Sequence, residues 1–67
     1  MVGHTPHHIV TARTANIRGG PGTSYRIVGK AERYDLMRTR DARQGWIHVE
    51  SSSGIQGWTA KRLLWGW

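Results

Sequence analysis

Turn-forming residues divide this chain into pieces too short for long helices. Gly19-Gly20-Pro21-Gly22, Gly29, Asp41-Ala42-Arg43-Gln44-Gly45 and Ser51-Ser52-Ser53-Gly54 fall about 8–12 residues apart, the punctuation of a small all-β barrel or sandwich. The pieces between them are rich in β-branched and aromatic residues. The first runs from Ile9 through Arg18, and Gly19-Gly20-Pro21-Gly22 ends it, because neither a helix nor a central strand tolerates that sequence. Tyr25–Val28, Tyr34–Arg40, Trp46–Glu50 and Ile55–Thr59 read as four further strands, the first of them stopped at Gly29. A helical alternative exists for 30–43, where Ala31, Tyr34, Leu36 and Met37 would share a side, but no cap or stop frames it. Residues 59–64 read as one helical turn capped by Thr59, and Leu64–Trp67 as a closing strand or a frayed end.

With 67 residues the chain is one small domain. A domain of this size buries only about 60% of its unfolded surface and usually needs a staple. There is no cysteine, which excludes disulfides, thiolate metal sites and cysteine nucleophiles. Packing must come instead from large side chains, and four tryptophans and two tyrosines stand in a chain without phenylalanine. No apolar run approaches the roughly 18 residues of a membrane span. Nor does the N-terminus combine a basic stretch with an apolar run, so no signal peptide is expected in the chain as given. Residues 1–8 hold three histidines, a glycine and a proline without apolar period, and read as a loose tail before a domain over 9–67.

Several residue groups are candidates for chemistry. His4, His7 and His8 have metal-like spacing, but Pro6 interrupts them and no carboxylate lies near, so no metal or other cofactor is expected. Ser51, Ser52 and Ser53 with His48 and Asp41 supply the residue types of a hydrolytic triad without a pair placed to activate a hydroxyl. Serines in such a run are turn formers, and the chain reads as a binding module rather than an enzyme. His48, alternating with Ile47 and Val49, is expected to face outward beside Glu50.

Ten basic residues against four acidic give a net charge of +6. Arg26, Lys30, Arg33, Arg38 and Arg40, with Arg43 at the edge, would form a stripe on two neighbouring strands, as in small basic barrels that bind nucleic acids. Scattered cations serve equally to keep a small barrel soluble. Tyr25, Tyr34, Trp46 and Trp58 form the aromatic set: either a shallow groove whose rings stack on an extended peptide or sugar, or the core of the domain. Gly19, Gly20 and Gly22 around Pro21 would allow positive φ in a long ordered loop with Tyr25 at its base, over which Asn16 could fold its amide. Gly45 and Gly57 each precede a tryptophan and would leave room for the indole to lie flat.

The segment Val10-Thr11-Ala12, then Asn16-Ile17-Arg18-Gly19-Gly20-Pro21-Gly22-Thr23-Ser24-Tyr25 and Ile27-Val28-Gly29, resembles the opening of bacterial SH3 domains. There a strand reading V-T-A-x-x-L-N-V-R runs into x-G-P-x-T-x-Y-x-x-I-G. Gly45-Trp46-Ile47-His48-Val49 is similar to that family's G-W-x-x-V, Gly57-Trp58-Thr59 to its G-W-V, and Leu63 stands at its terminal Y-L position. The resemblance covers about Val10 to Leu64. The chain departs from the pattern at Lys30-Ala31-Glu32-Arg33-Tyr34, which lacks the usual glycine, at Ala15 in place of leucine, and in the Trp65-Gly66-Trp67 extension. The resemblance implies an SH3-like half-open barrel of five to six short strands with one 3-10 helical turn before the last. It implies a non-catalytic, exported, monomeric module without membrane insertion that recognises peptidoglycan peptide or glycan in a groove near Thr23, Tyr25 and Trp46, with Tyr34 and Trp58 as further candidates. The alternatives are docking of a partner polypeptide or a neighbouring catalytic domain, and nucleic-acid binding.

Overall fold

The structure is a computed structural model and describes residues 7–65. Seven strands make one antiparallel sheet: β1 (His7–Val10), β2 (Thr14–Arg18), β3 (Ile27–Glu32), β4 (Leu36–Arg43), β5 (Trp46–Glu50), β6 (Gln56–Ala60) and β7 (Leu64–Trp65). A 3-10 turn, Lys61–Leu63, joins the last two. The strand order is β3-β2-β6-β5-β4-β1-β7. The all-β, SH3-like fold expected from the sequence is the one found, with seven strands rather than five or six.

The additional strand arises at Thr11-Ala12-Arg13, where the stretch 9–18 breaks in two. Val10 is buried at an even position, whereas Ala15 and Ile17 are buried at odd ones. A strand of period two cannot bury both sets on one face, so the chain bends between them. β1 also begins at His7, inside the stretch expected to be a tail.

Other boundaries shift for equally local reasons. β3 does not stop at Gly29 but runs through it to Glu32. A Cβ at Gly29 would come within 2.9 Å of Ile55, so this glycine admits a neighbour rather than ending a strand. Tyr25 falls in the turn before β3, and Tyr34 in the turn before β4 with φ of 76°. Segment 30–43 is strand and turn throughout, without helix. β4 continues through Asp41 to Arg43, with a register shift between Thr39 and Asp41, and only Gln44-Gly45 make the hairpin turn. Both residues have positive φ (46° and 86°), the requirement of a tight hairpin whose twist matches its strands. Thr59 does not cap the 3-10 turn. It is buried in β6, its hydroxyl has no hydrogen-bond partner among the described residues, and Ala60 occupies the cap position.

Val10, Ala15, Ile17, Ala31, Met37, Ile47, Val49 and Leu64 form the core, with Ile55 and Leu63 packed on it. No tryptophan among the described residues belongs to that core. His8 points inward with it, 5% exposed, its Nδ1 hydrogen-bonded to the Thr39 hydroxyl. Burial, reinforced by the nearby charges of Lys61 and His7, holds this imidazole below the ordinary 6.5. On the opposite face Leu36, Ile9 and Trp65 stand side by side across β4, β1 and β7, all exposed.

Candidate binding groove

The glycine-rich loop between β2 and β3 is held from below by Arg18. Its guanidinium Nη1 donates to the carbonyls of Thr23 (3.2 Å) and Tyr25 (2.9 Å), a role the sequence had suggested for Asn16. The loop glycines do not use positive φ, which among the described glycines occurs at Gly45 and Gly54. Gly20 is instead buried beneath the Tyr25 ring, which occupies the space a Cβ would need. The loop is thus braced by its own tyrosine, a residue 49% exposed.

Opposite that loop stand the β4–β5 turn and the 3-10 turn. These two are locked together, because the Lys61 amide donates to the Gly45 carbonyl at 2.8 Å. Between them and the loop lies a groove of about 570 Å³, lined by Thr23, Gly45, Trp46, Ala60, Lys61 and Arg62. A second depression of about 430 Å³, lined by Pro21, Arg43 and Gln44, runs between the same loop and hairpin. Trp46 is half-buried on the outer face of β5, directly opposite Ala60 on β6.

Of the expected site residues, Thr23 and Trp46 are brought together and Tyr25 stands on the adjoining loop. Trp58 lies on the same outer face as Trp46 but not in the groove, stacked on His48 with ring centroids 4.9 Å apart. Tyr34 stands at the other end of β4 from Arg43, the partner of Trp46, and is 77% exposed. Lys61, Arg62 and Ala60 are lining residues the sequence did not single out, and Gly45 is a fourth that it had assigned another role. For Lys61 and Arg62 the signal was a basic pair just after Gly57-Trp58-Thr59.

Neither glycine before a tryptophan makes room for its own indole. Gly45 has open space around it and serves the turn, while Gly57 faces inward against the Arg18 carbonyl and Ile17. Alternation along the strand puts the tryptophan that follows on the other face.

The remaining candidates are occupied elsewhere. The Ile55 amide donates to Ser51 Oγ at 3.2 Å, and Ser51 and Ser53 hydroxyls hydrogen-bond each other within the turn. Glu50 pairs with Arg40 at 2.8 Å, not with His48. His4 lies outside the described residues, and no group of metal-binding composition occurs among those described. The basic stripe does not assemble, because β3 and β4 are separated in the sheet by β2, β6 and β5. No helix among the described residues is long and apolar enough to cross a membrane.

Residues 11–66 match the bacterial SH3 domain family. This chain is a bacterial SH3 domain. It is also similar to a putative N-acetylmuramoyl-L-alanine amidase, YrvJ, of Bacillus subtilis (strain 168), 32% identical over 59 residues. That match covers 84% of this chain and 11% of the amidase. The bacterial SH3 domain therefore matches only a small part of that amidase's length. In this bacterial SH3 domain β1 (His7–Val10) lies just ahead of the matched segment.

Proposed function

We propose that this domain is a non-catalytic targeting module that binds peptidoglycan, through its peptide or its glycan, in the groove beside the glycine-rich loop. The observation that carries this reading is the meeting of Thr23 and Trp46 in one groove between two braced loops. An open indole face, a hydroxyl and flanking cations suit an extended polar ligand with apolar stretches. Similarity to part of an amidase supports a cell-surface location, where such a module would hold a catalytic domain near its substrate.

Retention on purified peptidoglycan sacculi tests this function. The domain is expected to sediment with sacculi at physiological salt, and Trp46→Ala to stay folded while losing retention. A wild-type domain that remains in the supernatant would overturn the reading. Binding that falls steeply with salt and transfers to nucleic acid would favour phosphate contacts instead.

A further inference from the structure

Resting on that reading, we infer that Arg18 is the positioning residue of the groove: it lines neither depression, yet it holds Thr23 in the geometry that binds a ligand. The glycine-rich loop needs such a support. It spans residues 19–26 between β2 and β3 and carries three glycines, the residue type that loses most backbone freedom on ordering. Its own backbone bonds run from the Gly19 amide to the Arg26 carbonyl (2.9 Å), from the Gly22 amide to the Gly20 carbonyl (2.9 Å) and from the Tyr25 amide to the Gly22 carbonyl (3.4 Å). None of them involves Thr23, the loop's member of the groove wall. Among the described residues, the sole hydrogen bond on Thr23 is the one its carbonyl accepts from Arg18 Nη1. The Thr23 hydroxyl is left for a ligand.

Arg18 can supply this support because its own backbone is held on both sides. It ends β2, paired with Ile27 of β3 and with Trp58 of β6. The register slips between Ile17 and Arg18, an irregularity of the kind that re-aims a side chain beside a site. The Nη1 that bonds the Thr23 carbonyl also bonds that of Tyr25, so one nitrogen gathers both. It thereby ties the loop to β6, the strand whose Ala60 lines the groove together with Thr23. The ion pairs among the described residues belong to Arg40 and Arg43, and no carboxylate draws the Arg18 guanidinium away. A loop released from these bonds visits the binding geometry only part of the time, and apparent affinity falls by that fraction.

The experiment measures the amount of purified peptidoglycan sacculi that half-retains the intact domain, at low and at high salt. It compares the wild type with Arg18→Met, which keeps an apolar stem and removes every donor. The variant, shown folded by its NMR spectrum, is expected to need about tenfold more sacculi at both salts, as when the free loop is competent about a tenth of the time. Its Thr23, Ser24 and Tyr25 amide signals should broaden before any ligand is added, while those of the strands stay sharp. Gly22→Ala supplies a rescue. Its Cβ would meet the Tyr25 ring at 3.5 Å, an ordinary contact, and the stiffer loop should restore about two- to fivefold in the Arg18→Met background and less in the wild type. Wild-type retention by Arg18→Met overturns the positioning role and leaves wall binding standing. A loss that vanishes at high salt also overturns it, because Arg18 then attracts the ligand by charge. So does a salt-independent loss that Gly22→Ala leaves unrelieved. Should Arg18→Met fail to fold, Arg18→Lys, with the charge kept on a shorter reach, is read by the same outcomes with a smaller loss expected. A wild-type domain that stays in the supernatant overturns the groove reading and this inference together.

Discussion

His48 and Trp58 stack across β5 and β6, their ring centroids 4.9 Å apart and their planes inclined by 29°. The two residues are directly paired in the ladder, and Arg18 pairs with Trp58 on its other side. A double-mutant cycle with His48→Ala and Trp58→Ala is expected to show a coupling of about 0.5–1.5 kcal/mol in urea unfolding. Additive single losses would mean that the rings touch without stabilising each other.

At Gly57 the backbone of a neighbouring strand leaves no room for a side chain. A Cβ there would lie 2.5 Å from the Arg18 carbonyl oxygen and 2.6 Å from Ile17. Gly57→Ala should therefore push β6 from β2 and cost at least about 1–3 kcal/mol, the range for overpacking. Gly19→Ala is the control, since its nearest neighbour would stand at 3.8 Å. Chemical denaturation of both variants decides the point, and a mild Gly57→Ala would refute the close approach.

Tyr34 carries a strained backbone and an exposed ring. At φ of 76° a residue with a Cβ is disfavoured, and glycine is not. Tyr34→Gly is expected to raise stability by about 1 kcal/mol and to leave retention on sacculi unchanged, because the ring stands away from the groove. A loss of retention would bring Tyr34 back into the site.

His8 makes stability depend on pH. Its folded value is lowered from 6.5 by burial, with Lys61 and His7 adding to the effect, while the unfolded chain titrates near the ordinary value. Between the two values the unfolded state binds more protons, so stability rises with pH through that window. The contribution is complete above 6.5, declines as pH falls below it, and levels off once His8 protonates in the folded state as well. Urea midpoints measured from neutral to mildly acidic pH should fall for the wild type and fall less for His8→Leu. Identical slopes would show that His8 is not the titrating group.

The sequence showed the turns more clearly than the strands between them. Trp46–Glu50 begins and ends where its residues predict, because Gly45 and Ser51-Ser52-Ser53 bound it unambiguously. Ile9–Arg18 looked continuous because no glycine or proline interrupts it. The break is recorded only in the parity of Val10 against Ala15 and Ile17, which becomes legible once the buried face is known. Thr23 and Trp46 were identifiable from their motifs, each being fixed by glycines nearby. Lys61 and Arg62 were not, since a cation's meaning depends on what faces it, and here that is a hairpin fifteen or more positions earlier in the chain. For Trp58 the sequence left core and groove open, and alternation with buried Gly57 and Thr59 sends it outward.

The pairing of β1 with β7, through Ile9–Trp65 and Val10–Leu64, also governs when the fold can be completed. Thr11 adds to the same closure, its amide and hydroxyl both donating to the Leu63 carbonyl. Contacts between residues so distant in sequence bring no return until almost the whole domain has been synthesised. β1 must therefore wait, first for β4 and then for the last strand, with Val10 uncovered in the meantime. A stalled or truncated chain would expose that apolar segment, so the final strand acts as the step that commits the module to its native state.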